Sequence, residues 1–503
     1  MNERILNQLG FGNRAASSKR RGVKGAQAAK DAKVAALHDH EHTIPPKPPE
    51  MSWKDYLLML LHVGAEIEHA LMVEYLYAAY SLGGDHVPAG KESQVKGWQN
   101  EILSIAREEM GHLLSVQNLV CLLGGAVSFE RQDFPWDTPF YPFPFRLEAL
   151  TLDSLACYVF AEMPPEDALD IKSWANKASG QEFTDEDAAQ IQESVFKLAG
   201  RRNPHHVSEI YNEIINIVSD PSRILDSDFR AESYASQMSW DDWGRGYNAP
   251  PDLPGDQKRH VVAGSQRHGH LIIERVATRT EAIAALKAVA GQGEAPHLRD
   301  KENEEPSHFA RFLGVYQGFE QVIKHEKWNP VRNVPCNPST FPGGSGRRIR
   351  TYISSEGTRL WAELFNLRYR ILLNCLTHSY RLSRTPVSGQ SVRGPVMHRA
   401  FGEMYNIKTI AGLLMRMPLD DEGGGMRAGP PFQMPYTLQL PQPEADCWRV
   451  HLDLLKSASH LCKDLLDEKK GYLKDIPQTA DYLRILSDLD LQAAAWVERI
   501  LKA

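Results

Sequence analysis

One run constrains this chain more than any other: WKDYLLMLLHVGAEIEHALMVEYLYAAYSL, starting at Trp53, sets apolar residues three and four apart and stops at Gly83-Gly84. That period belongs to a helix and the glycine pair to its C-cap. A second run, about Glu92 to Leu123, repeats the pattern and stops at Gly124-Gly125. The aromatic and proline-rich FPWDTPFYPFPFRL that follows cannot continue it. The two are expected to form an antiparallel pair.

Further along, LDSLACYVFAEM is a shorter helix broken at Pro164-Pro165, and a weak helix lies near Asp185 to Leu198. After Pro204, HHVSEIYNEIINIV is amphipathic and forms the third principal helix. Residues 219–270 lack a helical period and read as a long loop or lid. TEAIAALKAVAGQGEAP and EEPSHFARFLGVYQGFEQVI complete a four-helix core with insertions, the second tolerating Pro306 in its first turn. NPVRNVPCNPSTFPGGSGRR, Asn329 to Arg348, is the best internal boundary, and helical patterns recur near 356–384, 394–416, 447–468 and 478–501. Strand signals are sparse, so the expected fold is all-α. The division is a basic N-terminal arm (1–50), a helical bundle (51–330) and a C-terminal helical bundle (331–503).

A length of 503 residues suits two or three domains. With 57 basic and 64 acidic residues the net charge is -7, which gives no basic field for nucleic acid or an anionic membrane. Six cysteines without a CxxC pair argue against a disulfide framework and a zinc-thiolate site, and fit a reducing, cytoplasmic setting. No apolar run reads as a membrane span or secretory signal, so no membrane role is expected. The arm, with SSKRRGVKGAQAAKDAK, has the composition of a disordered segment.

The chemistry lies in glutamates and histidines three residues apart, which on a helix present a carboxylate and an imidazole to one point. With 35 Glu and 19 His, roughly one such pair is expected by chance. Four occur: Glu66/His69, Glu109/His112, Glu294/His297 and Glu305/His308. A di-metal carboxylate bundle asks for two such pairs on two helices and a single carboxylate from each of two others. In chain order the helices offer Glu68, with Glu74 further along; then Glu109 and His112; then Glu209, or Glu213; then His308 with Glu294 or Glu305. Glu66/His69 reads as a surface or outer pair. Tyr75, Tyr77, Tyr80, Tyr211 and Trp98 lie near these positions in helical register, and Tyr75 and Tyr211 are candidates for a substrate pocket. In the C-terminal half, Glu363, His378, His398, Glu403, His451 and His460 form no such pair, so that half reads as a packing or homodimerisation bundle.

EIEHALMVEYLYAAYSL, EEMGHLLSVQNLVCLLGG, YPFPFRLEALTLDSLACYVFAEMPPED, SEIYNEI and AIAALKAVAGQGEAP followed by SHFARF resemble the ferritin-like proteins grouped with the iminophenyl-pyruvate dimer synthases, the VioB type. The likeness spans about residues 51–335 and continues weakly in NLRYRILLNCL and GPPFQMP. It implies a ferritin-like four-helix bundle, a non-haem di-iron centre and a place in a natural-product pathway. The named synthases are much longer chains acting on imines derived from aromatic amino acids, and their substrate does not transfer. Where they tend to have prolines, this chain has Val73-Glu74.

Hard carboxylate oxygens stabilise ferric iron and bridge two ions, while imidazoles hold each ion in place. The sequence therefore leads to the expectation of an O2-activating di-iron oxidase or oxygenase acting on a small organic substrate, holding about two irons per chain, with manganese as the other candidate metal. The alternative is an iron-binding, ferroxidase-like protein without an organic substrate. No catalytic residue beyond the ligand set is assigned.

Overall fold

The computed structural model describes residues 44–138, 140–163, 184–199, 207–239, 242, 271–293, 306–343, 350–382, 392–474 and 476–502. Among these are eleven α-helices and one two-residue parallel strand pair, Pro338–Ser339 with Thr351–Tyr352. The all-α expectation holds.

Helix α1 (Trp53–Ser81) starts where the Ser52 hydroxyl accepts from Asp55 N at 3.0 Å and ends at Gly83 and Gly84, both at positive φ. By length and composition it could cross a membrane, but most of its apolar stretch is buried inside the molecule. It is the central strut of a folded core. Helix α2 (Glu92–Leu122) runs antiparallel to it: Gln99 near its start donates to Ala79 O near the end of α1, and Gly125 beyond its end meets Leu58 near the beginning of α1.

Around this pair, α3 (Leu152–Ala161) packs on α7 (His308–Glu320), and α4 (Asp185–Ala199) covers α3. On another side α5 (Ser208–Ser219) lies against α1 and α6 (Arg279–Gly293), and α6 reaches α2. The described parts of the expected lid hold two short 3-10 turns, Asp226–Asp228 and Ala231–Ala235, while 240–241 and 243–270 lie outside the described residues. Residues 271–276 run along α2, where Asn118 Nδ2 donates to Met238 O at 2.9 Å and Glu274 O at 2.8 Å. Gly111 lets this strap pass, since a Cβ there would lie 2.7 Å from Ile272 O. The N-terminal arm as far as residue 43 is also outside.

The C-terminal half contains α8 (Glu356–Ser379), α9 (Arg393–Leu414), α10 (Glu444–Leu465) and α11 (Ala480–Lys502), with α8 against α9 and α10, and α10 against α11. An ionic cluster crosses it, fully buried at Arg368, Asp490 and Glu403. Arg368 of α8 bonds Asp490 of α11, at 2.7 Å for Nη1, and lies 3.3 Å from Glu403 of α9, whose carboxylate also pairs with Arg399 at 2.7 Å. Paired in this way, the charges fix the register of three helices at the cost of desolvation.

The expected boundary near 330 behaves as a strap. Gly83 N donates to Pro330 O, Arg332 N to Ser81 O and Asn337 N to Leu147 O, each at 2.8 Å. One continuous apolar core then runs through both halves.

Candidate metal centre

Three carboxyl or imidazole side chains of α1 are buried: Glu68, His69 and Glu74. Buried carboxyl and imidazole groups cost several kcal/mol unless partnered, so their partners show what each does. Glu74 accepts from Arg146 N at 2.5 Å and lines a small cavity with Tyr141, Cys157 and Tyr158, where burial pushes its carboxyl well up. That fastens the aromatic segment after α2, and Glu74 belongs to neither of the donor groups that follow. His69 is likewise no surface or outer residue. It is fully buried against the C-terminal half, with Nε2 bonded to the Tyr369 hydroxyl, and burial together with Arg131 holds it well below the usual imidazole range.

Glu68 faces the bundle interior with Glu109 and His112 of α2. Donor atoms of these three lie within 4.8 Å of one another, and so do those of Glu109, Glu162 and His308. Glu109 belongs to both groups. Its Oε2 is 2.9 Å from His112 Nδ1 and its Oε1 is 3.0 Å from His308 Nδ1. Glu68 Oε2 approaches His112 Nδ1 at 3.5 Å, and Glu162 Oε2 approaches His308 Nδ1 at 3.6 Å. The imidazoles are stacked with centroids 5.6 Å apart.

The atoms facing away from the centre are held. Tyr211 of α5 donates to Glu68 Oε1, and Tyr75 donates to Glu162 Oε1 at 2.7 Å. His112 Nε2 meets Gln292 Oε1 at 2.9 Å, and His308 Nε2 meets Glu108 Oε2 at 2.8 Å. Glu108 is paired in turn with Arg311 at 2.7 Å, and Arg311 with Glu101.

Fit to a metal is tested by the inward atoms. Glu68 Oε2, Glu109 Oε1 and His308 Nδ1 are buried without a hydrogen-bond partner. Glu109 Oε1 and His308 Nδ1 lie 3.0 Å apart yet out of alignment for a hydrogen bond, and Glu68 Oε2 stands 3.5 Å from His112 Nδ1. Buried polar atoms are almost always satisfied; three orphans in one cluster of carboxylates and imidazoles fit a divalent-metal site.

Electrostatics agree. Burial and the neighbouring Glu109 push Glu68 up to about 7. Burial would lower His112, but Glu109 and Glu68 outweigh it and hold the imidazole at about 10. Against burial, Glu109 and Glu108 likewise hold His308 well above its usual value. Glu109 is held far down by the two histidines despite its burial, and Glu108, also against burial, is down to about 2 beside His308 and Arg311. The cluster is built around positive charge.

The structure thus brings together Glu68, Glu109, His112 and His308 of the expected set. Glu209, in the first turn of α5, is half-buried and belongs to neither group, and Glu213 on the same helix is half-buried too. The other carboxylate that the structure brings to the cluster is Glu162, the C-cap of α3. The missed signal was a lone acid late in LDSLACYVFAEM, a helix buried from Ser154 onward. Glu294 and Glu305 lie outside the described residues, although the last described residue before them, Gly293, would place a Cβ 3.1 Å from Glu162 Oε2. Tyr75 and Tyr211, expected at a pocket, stand instead directly behind two of the carboxylates.

A family model described as ferritin-like matches residues 61–317. Dichlorochromopyrrolate synthase of Lentzea aerocolonigenes is 25% identical over 415 residues, covering 76% of this chain and 36% of that protein. The chain therefore spans about a third of the length of that curated relative. No solved structure matches it.

Proposed function

From the premise that this chain belongs to the ferritin-like family, we propose that it is a non-haem di-iron, O2-activating oxidase or oxygenase acting on a small organic molecule in a biosynthetic pathway. One observation carries the reading: the two oxygens of Glu109 each face the Nδ1 of a different histidine, at 2.9 and 3.0 Å, with Glu68 and Glu162 on the flanks. A carboxylate shared in this way, between two groups of hard oxygen and imidazole donors, suits iron or manganese better than a soft metal.

Glu109 would bridge the ions. Glu68 and His112 would hold one, and Glu162 and His308 the other. Bound there, the ions supply O2 activation for oxidation of the substrate. The chain's own residues prepare that step. Tyr211 and Tyr75 each fix one carboxylate oxygen and leave the other free to ligate. Gln292 and Glu108 hold the far nitrogens of the histidines, which fixes ring orientation. Arg311 neutralises Glu108, so that residue adds no net charge to the centre. Three carboxylates offset three of the four positive charges of two divalent ions, leaving one for a further donor, such as Glu294, Glu305 or an acidic substrate. The relative is named as the synthase of an organic acid, which supports a biosynthetic reaction on an organic molecule.

The test is to load the purified chain anaerobically with Fe(II), measure metal per protomer, and follow O2 exposure by Mössbauer and absorption spectroscopy. About two irons per chain and an O2-dependent change in their spectra are expected. A folded protein that binds no iron overturns the proposal. Iron oxidation that no candidate organic acid alters favours the ferroxidase-like alternative.

A further inference from the structure

The C-terminal half holds another set of metal-capable side chains, which the proposed reaction does not use. Helix α10 opens with EADCWRVH, setting Glu444, Cys447 and His451 at i, i+3 and i+7 on one helix face. That face meets α8, whose last turn carries His378. His378 Nε2 lies 3.0 Å from Glu444 Oε1. Donor atoms of His378, Glu444 and Cys447 all fall within 4.8 Å of one another. Four-coordinate zinc, with bonds of about 2.0 Å to nitrogen and about 2.3 Å to sulfur, spaces its donors roughly 3.3 to 3.6 Å apart. Small side-chain rotations bring the three to that spacing.

The histidine is supported from behind. Its Nδ1 is 2.9 Å from His451 Nε2, and Trp448 packs edge-on against its ring. Ligating imidazoles characteristically have the second nitrogen engaged in this way. His378 is buried, whereas the Glu444 side chain is 51% exposed, which opens a route for an ion and a fourth position for water. Cys447 Sγ contacts Pro441 O at 3.1 Å and Arg381 Nη1 at 3.3 Å. Arg381 is itself tied to Pro441 O at 2.5 Å and Leu440 O at 3.2 Å, and serves as a hydrogen-bond donor to a ligating sulfur.

We infer that His378, Glu444 and Cys447 form a second metal site, selective for zinc, with His451 as the residue that positions His378. Its sulfur, nitrogen and oxygen donors differ from the carboxylate-rich set of the first centre, so the two sites favour different ions. This inference does not depend on the proposed oxidase function.

Cobalt(II) tests it on the full chain, because thiolate ligation gives a charge-transfer absorption that carboxylate and imidazole ligands at the first centre do not. The band is expected in the wild type and in His112→Ala, and lost in Cys447→Ser. His451→Gln should keep the band but weaken cobalt affinity about 10- to 100-fold. Absence of the band from the wild type, or its survival in Cys447→Ser, overturns the assignment. Glu444→Gln, at a half-exposed position, covers the case in which serine at 447 disturbs packing: thiolate-site affinity equal to wild type would also overturn it.

Discussion

Loading the proposed metal centre should displace protons in a countable way. Only deprotonated histidine and carboxylate ligate a metal, yet the carboxylates hold His112 at about 10 and His308 well above the ordinary imidazole value, while Glu68 is raised to about 7. Near neutral pH an ion entering the Glu68–Glu109–His112 group must release the His112 proton, so its affinity should rise about tenfold per pH unit. Below the Glu68 value of about 7 a second proton joins, and the slope steepens to about a hundredfold per unit. The Glu109–Glu162–His308 group releases the His308 proton, about tenfold per unit. The sign follows from competition: rising pH removes the proton that opposes the metal, and the gain levels off above the His112 value of about 10. Competition of Mn(II) against a chelator of known pH dependence, at about pH 6, 7 and 8, gives the slopes, and calorimetry in buffers of different ionisation enthalpy counts the protons. Affinities that stay flat over that range would refute the reasoning, because they would mean both imidazoles are already neutral.

Glu162→Ala should lower bound metal by about one ion per chain while Glu209→Ala leaves it unchanged, as read by elemental analysis; the reverse outcome returns the third-helix carboxylate to α5. Arg368→Met leaves Asp490 and Glu403 buried beside Arg399 alone, and should cost about 3 to 5 kcal/mol in denaturant unfolding; an unchanged midpoint would show that the cluster adds no stability. In Gly111→Ala the new Cβ meets Ile272 O at 2.7 Å, so the strap must shift at a cost of about 1 to 3 kcal/mol. Faster amide exchange confined to 271–276 is the expected signature, and protection equal to wild type counts against it.

Most helices were legible because length and glycine stops dominate their signal: α1 and α2 end within a residue or two of the glycine pairs that mark them. Glu109 and His112 were legible for the same local reason, being three apart on one helix. Glu162 was not, because α3 is short and its acid stands alone at the C-cap; only the packing of α3 on α7 brings it to His308. A rule that counts helices in chain order reached α5 and selected Glu209. His69 misled in the opposite direction: nothing near it in sequence reveals Tyr369, which lies 300 positions away. The spacing to His112 also singled out Glu109 from its neighbour Glu108, but that Glu108 holds the far nitrogen of His308 was not legible, since it depends on where α7 docks.

That last arrangement has a mechanical consequence. His308 turns both nitrogens to consecutive residues of α2, with Glu108 hydrogen-bonded at Nε2 and Glu109 close by at Nδ1, and Arg311 one turn later pairs with Glu108 as well. Sliding α7 along α2 by even one residue would break all three contacts at once, so the two helices behave as one rigid jaw. The outer carboxylates are held differently, by tyrosine hydroxyls that donate to Glu68 from α5 and to Glu162 from α1.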